Sequence, residues 1–145
     1  MDFENTFGRY IGLLHDLGTK RLNELLGEAE AEITADQFRL LTLLWKEDGI
    51  AQQKLACLLK RDRASVTRMA DILENQHIIT RIADKDDKRV NLLYLTKKGK
   101  ELETKAATCA QKVLDEMTND FSEEEECMFK TLLQKAIKNF KKHCF

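Results

Sequence analysis

Apolar residues recur every three or four positions along most of this chain, and a stretch in the middle breaks the rhythm. From residue 3 to 30, Phe3, Phe7, Tyr10, Ile11, Leu14, Leu17, Leu22, Leu25 and Leu26 mark the stripe of a long amphipathic helix. Gly8, Gly12, Gly18 and Gly27 interrupt it. An interior glycine costs about 0.5 to 1 kcal/mol relative to alanine, so this helix needs packing for its stability, and a bend or break is expected near Gly18. Thr34-Ala35-Asp36-Gln37 spells a capping box that starts a second helix, with Phe38, Leu41, Leu44 and Trp45 on its apolar face and Asp48-Gly49 at its end. A short helix from Gln52 to Leu59 follows, with Leu55, Leu58 and Leu59 predicted inward and Lys54 and Lys60 outward. A tight Lys60-Arg61-Asp62 connection leads into a basic helix over residues 61 to 73.

After Leu73 the period shortens. Residues 78–82 and 90–95 are short, apolar and rich in β-branched side chains, and the polar run 84–89 lies between them, which predicts a hairpin. Thr96 then opens a fifth long segment with Leu102, Ala106, Cys109, Ala110, Val113 and Met117 on one face. Ser122 and Glu125 form a second capping box ahead of a last helix striped by Phe129, Leu132, Leu133, Ala136, Ile137 and Phe140. Two short helices followed directly by a hairpin make a winged helix-turn-helix. The predicted fold is therefore mainly α with a small β-wing, and long terminal helices flank the head. Residues 1–33 and 97–145 are expected to dimerise the chain and residues 34–96 to form the head, because a head of that size offers too little surface to cover the terminal stripes.

The basic helix carries the candidate chemistry. At roughly 100° per residue, Val66, Met69, Ala70 and Leu73 share one side, which leaves Ala64, Thr67, Arg68 and Asp71 opposite and Arg63 and Ser65 on the flanks. Small residues near the N-terminus, hydroxyls and guanidinium forks are what an inserted helix needs in a DNA major groove. Net charge does not announce such a partner, being −1 over 145 residues. Its distribution does: residues 54–105 hold 13 Lys/Arg against 8 Asp/Glu, a net of +5, whereas residues 1–53 hold 5 against 10, a net of −5.

Other classes lack their signatures. No apolar run approaches the roughly 20 residues that span a bilayer, and the start, Met1-Asp2-Phe3-Glu4, lacks a basic leader, so a cytoplasmic chain with no membrane partner is expected. Cys57, Cys109, Cys127 and Cys144 are widely spaced, so neither a metal site nor a disulfide framework is suggested. Three scattered histidines, no glycine-rich phosphate loop and no paired acid/base motif argue against an enzyme, and no cofactor is called for. A winged helix that binds only protein is the rival reading, and steep salt dependence of binding separates the two.

Asp87-Lys88-Arg89 followed by Leu93-Tyr94-Leu95-Thr96-Lys97-Lys98-Gly99, together with Ser65-Val66-Thr67-Arg68-Met69 and Leu73, resembles the MarR (multiple antibiotic resistance regulator) family over nearly the whole chain. The resemblance implies a homodimeric winged-helix transcription factor on double-stranded DNA, usually a repressor relieved by a small phenolic or aromatic effector or by thiol oxidation. It marks Thr67 and Arg68 as DNA-facing, with Arg63 and Ser65 beside them. On the wing, Arg89 suits a narrow minor groove, Asp87 is placed to hold it and Lys88 lies between. Tyr10 and His15 are candidate effector contacts. For the alternative, a thiol-redox-responsive regulator, Cys127 lies off its helix's stripe and Cys109 on one. Two departures stand out: His77 replaces the family's usual glycine before the first wing strand, and residues 1–56 lack the first-helix cysteine of the peroxide-sensing branch.

Overall fold

The computed structural model describes residues 1–144, with side chains to Lys141; the thiol of Cys144 lies outside the described residues. A short 3-10 turn, Phe3–Asn5, precedes α1 (Phe7–Glu28), α2 (Ala35–Lys46), β1 (Ile50–Ala51), α3 (Gln52–Leu59), α4 (Arg63–Asn75), β2 (Ile79–Ala83), β3 (Asn91–Leu95), α5 (Lys97–Met117) and α6 (Glu123–Cys144). The predicted mainly helical fold with a β-wing is present. Contacts gather into two units, Met1–Gln111 and the remainder from Lys112.

In the first unit, Thr6 caps α1 by accepting the Arg9 N–H at 3.3 Å. The helix runs unbroken through Gly18, contrary to the expected break. The reason lies on either side of the glycine. Arg39 of α2 donates to the Thr19 hydroxyl at 2.8 Å, and Leu22, Leu25 and Leu26 are buried just downstream, so tertiary contacts hold the helix through its weak point. Its first half is different: Phe7, Ile11 and Leu17 stand largely exposed.

The capping box of α2 forms in both directions, Gln37 N–H to Thr34 Oγ1 at 3.2 Å and Thr34 N–H to Gln37 Oε1 at 3.0 Å. Beyond the helix, Gly49 takes φ +71° and donates its N–H to the Leu93 carbonyl at 3.0 Å. That turn lays Ile50 and Ala51 against Leu93 and Leu92 as a third strand that the sequence does not announce. The sheet order is β1-β3-β2, antiparallel throughout, with β2 and β3 paired from Ile79–Leu95 to Ala83–Asn91.

The helix-turn-helix closes through Lys60, whose left-handed backbone (φ 54°) lets Arg61 N–H reach the Ala56 carbonyl at 3.0 Å. Asp62 is the N-cap, so α4 starts at Arg63 rather than at Arg61. Within α3 the inward residues are Leu55 and Ala56; Leu58, expected inward, is about half exposed because it lies roughly 110° around the helix from the face that those two centre. Val66, Ala70 and Leu73 of α4 close the core together with Leu40, Leu44 and Leu93.

Arg81 of β2 ties the wing to α4. Its guanidinium donates to Asp71 Oδ1 at 2.5 Å and to Glu74 Oε1 at 3.0 Å, while its backbone N–H donates to Glu74 Oε2 at 3.0 Å. The hydrogen bonds from Arg81 hold the Glu74 carboxyl below its ordinary pKa, and Glu74 in turn raises that of the guanidinium.

In the second unit, Ser122 and Glu125 form the expected capping box, Ser122 N–H to Glu125 Oε2 at 3.0 Å and Glu125 N–H to Ser122 Oγ at 3.1 Å. Phe121 and Phe129 pack edge to face with centroids 5.8 Å apart. The α6 stripe carries Met128, Leu132, Leu133, Ile137 and Phe140, all exposed in the single chain.

Candidate nucleic-acid interface

The start of α4 is built around one carboxylate. Asp62 accepts the Ser65 N–H at 2.8 Å through Oδ1 and the Ser65 hydroxyl at 2.9 Å through Oδ2. These bonds, the backbone one foremost, stabilise the charged form and lower the Asp62 pKa, with Arg68 adding a coulombic share. Arg68 donates to Ser65 Oγ at 3.2 Å, so the Ser65 hydroxyl links the cap to an exposed guanidinium one turn on. Arg63 is exposed and makes no ion pair among the described residues.

Thr67 is half-buried, not turned fully outward. Its hydroxyl donates to the Arg63 carbonyl at 2.9 Å and accepts from Gln52 Nε2 of α3 at 2.7 Å. The hydroxyl's proton is therefore spent inside the head, and the residue's role there is to join α3 to α4. The sequence reading missed Gln52, whose partner lies 15 residues away and outside any local motif.

At the wing, the structure brings Asp87 and Arg89 together. Arg89 Nε and Nη2 donate to Asp87 Oδ1 and Oδ2 at 3.0 and 3.1 Å, and the Arg89 N–H also reaches Oδ1 at 3.1 Å. The fork-to-fork geometry fixes the direction of an arginine whose side chain is 91% exposed. It also lowers the Asp87 pKa and raises that of Arg89. Val90 N–H closes the tip on the Asp87 carbonyl at 2.9 Å, and Lys88 projects between the two into solvent. A concavity of about 150 Å³ separates wing from helix, lined by Gln52, Gln53, Arg63, Arg89 and Asn91.

The remaining candidates are dispersed. Tyr10 donates to Asn5 Oδ1 at 2.5 Å and His15 pairs with Asp16 at 3.3 Å; both are exposed, and five residues of helix put them roughly 140° apart. A shallow, mainly apolar hollow of about 250 Å³ lies elsewhere, lined by Phe38, Thr42, Trp45, Lys46, Glu103 and Ala107. The Phe38 and Trp45 rings are 5.9 Å apart there, and Trp45 Nε1 is fixed by the Gly99 carbonyl at 2.9 Å. Sequence periodicity marks these aromatics as ordinary core, so nothing distinguished them beforehand. Among the thiols, Cys109 is buried and lies 3.6 Å from the Leu25 carbonyl, whereas Cys57 and Cys127 are exposed.

Comparison with known proteins converges on one group. Residues 33–90 match the model of the MarR family. An uncharacterized HTH-type transcriptional regulator of Bacillus subtilis, YdgJ, is 30% identical over 121 residues, covering 81% of this chain and 74% of that protein. The crystal structure of a MarR transcriptional regulator from Methanosarcina mazei Go1 superposes with a TM-score of 0.87 at 27% identity, over 93% of this chain and 96% of the other. A mutant MarR from E. coli complexed with operator DNA superposes with a TM-score of 0.81 at 28% identity, over 89% and 91%.

Proposed function

The chain belongs to the MarR family of winged-helix transcriptional regulators, and from that premise we propose that it represses transcription as a homodimer on a pseudo-palindromic operator. One arrangement carries the reading: the wing arginine Arg89, aimed by Asp87, and Arg63 of α4 line one concavity, and Arg68 stands exposed further along α4. An arginine fixed at a wing tip suits a minor groove, and a helix start lined by Arg63, Ser65, Thr67 and Arg68 suits the adjacent major groove. Lys88 adds charge at the tip. Ser65 and Thr67 serve this surface by orienting it, because their hydroxyls are engaged with Asp62, Arg68, Gln52 and the Arg63 carbonyl.

Residues 34–96 form the reading head in this account, and 1–33 and 97–145 the dimerisation segments. The exposed apolar residues of α1, Phe7, Ile11 and Leu17 among them, and those of α6, Leu133 and Ile137 among them, support a second copy as their cover. The hollow at Phe38, Trp45 and Lys46 is the favoured site for a small aromatic acid, with ring faces for its ring and an ammonium for its carboxylate. This reading prefers the hollow to Tyr10 and His15, the effector contacts expected from the sequence.

Selection of genomic fragments with the purified protein, sequenced and then titrated at several salt concentrations, tests the proposal. Enriched sites with two half-sites about 10 base pairs apart, and affinity that falls steeply with salt, are expected. No enrichment, or binding indifferent to salt, would leave the chain as a protein-binding module.

A further inference from the structure

Two side chains on the rim of the hollow between α2 and α5 carry opposite charges and do not meet. Lys46 ends α2 beside Trp45, and Glu103 lies one turn along α5 from Gly99, the residue that fixes the Trp45 indole. Both are exposed, and among the described residues the side chain of neither forms an ion pair or a hydrogen bond.

The other polar side chains that line the hollow are already engaged. The Trp45 N–H donates to the Gly99 carbonyl at 2.9 Å, and the Thr42 hydroxyl donates to the Arg39 carbonyl at 2.7 Å, which leaves its oxygen able only to accept. A guest therefore meets one donor, the Lys46 ammonium, and two acceptors, the Glu103 carboxylate and the Thr42 oxygen. Its ring meets Phe38 and Trp45, whose planes are inclined at 58° with centroids 5.9 Å apart, so that a third ring can lie on one face and turn its edge to the other.

A plain aromatic acid answers only half of this pattern. Its carboxylate pairs with Lys46, but its body covers Glu103 without giving it a donor, and two like charges then share one small hollow. An ammonium on the guest reverses the sign of that contact. Its three protons serve the Glu103 carboxylate and the Thr42 oxygen together, and the charges of guest and rim cancel pair by pair.

Resting on the reading of this hollow as the effector site, we propose that its ligand is an aromatic zwitterion of the amino-acid type. The carboxylate lies on Lys46, the ammonium on Glu103 and Thr42, and the ring against Phe38 and Trp45. Glu103 is then the residue that selects an amino acid over a simple acid.

Three probes with one skeleton separate the charges: phenylalanine carries both, 3-phenylpropanoate lacks the ammonium and phenethylamine lacks the carboxylate. Binding to wild type, Glu103→Gln and Lys46→Gln is followed by calorimetry and by the fluorescence of Trp45, the single tryptophan. Wild type is expected to prefer phenylalanine to either single-charge probe by about tenfold. Glu103→Gln should lose the preference over 3-phenylpropanoate and bind that acid as well as wild type does or better, while Lys46→Gln should lose the preference over phenethylamine. Equal weakening of all three probes in either variant would mark a merely structural role and overturn the assignment. If 3-phenylpropanoate binds wild type as tightly as phenylalanine and Glu103→Gln changes neither, the hollow takes simple acids and the zwitterion falls alone. Phenethylamine bound as tightly as phenylalanine would overturn it together with the role given to Lys46. If no probe changes the fluorescence or releases heat, the zwitterion falls together with the effector reading of the hollow.

Discussion

Gly99, in the first turn of α5, lies against the carbonyl of Ile78 so closely that a Cβ on it would stand 2.2 Å from that oxygen. The same carbonyl accepts the Thr96 N–H at 3.0 Å, and the Thr96 hydroxyl, whose proton goes chiefly to the neighbouring His77 carbonyl, lies 3.0 Å from it, so the segment is held in place. The Leu-Thr-x-x-Gly run after the wing thus has a steric cause: threonine caps α5 while glycine lets α5 start on top of the residue that precedes β2. Gly99→Ala is expected to destabilise the fold by about 3 kcal/mol, the upper range for overpacking against an immovable neighbour, read as a loss of melting temperature. A shift within error would mean that the α5 start moves freely.

His77 adopts φ 60°, in the region that glycine occupies at little cost. Its backbone is held at both ends, with the N–H on the Glu74 carbonyl at 3.0 Å and the carbonyl accepting the Thr96 hydroxyl at 2.5 Å. The side chain is exposed. His77→Gly should therefore stabilise the protein by up to about 1 kcal/mol, with the gain in backbone ease partly offset by unfolded-state entropy. Thermal melting decides the sign.

Much of this was legible in the sequence because it is local. The capping boxes at Thr34 and Ser122 are four-residue motifs, and Asp87 and Arg89 are two residues apart, although a turn closed by Val90 on Asp87, rather than an extended segment, brings them together. What escaped is non-local. Two residues of β1 carry no alternation; the strand exists because Gly49 turns the chain and Asp48 Oδ1 accepts the Leu95 N–H at 2.8 Å, across 47 residues. The direction of Thr67 depends on Gln52, and the continuity of α1 at Gly18 depends on Arg39. The hollow beside Trp45 arises between α2 and α5, which the Trp45–Gly99 hydrogen bond joins across 54 residues.

Glu74 and Arg81 predict a pH dependence. The folded-state pKa of Glu74 lies below its ordinary 4.5, so its contribution is fully present above that value and is lost as pH falls through the lower, folded-state value. Glu74→Gln should be less stable than wild type at neutral pH, and the difference should shrink in acid below 4.5. Urea melts from pH 7 down to the acid limit of folding measure it. A difference that stays constant would mean that the carboxylate's charge is irrelevant to the wing.

Trp45 is the chain's single tryptophan, so its fluorescence reports on the hollow directly. Titration with simple aromatic acids is expected to change that fluorescence saturably, and Lys46→Ala to weaken the apparent affinity about tenfold if the ammonium holds the carboxylate, while a neutral analogue loses affinity without the substitution. Saturable binding that survives Trp45→Phe, followed by calorimetry, and is indifferent to Lys46→Ala would move the effector elsewhere.

The central claim, that α4 and the wing read adjacent grooves, is tested most directly by titrating wild type, Arg68→Ala and Arg89→Ala against the selected operator and its half-site variants over a range of salt. Arg68→Ala should cost about 1 to 3 kcal/mol and relax preference at particular positions, since each base pair is distinguishable in the major groove. Arg89→Ala should lower the salt slope by about one unit for each wing and leave the core half-site preference intact, because the minor groove offers mainly width and charge to read. Two variants that bind as tightly and as selectively as wild type would contradict the account.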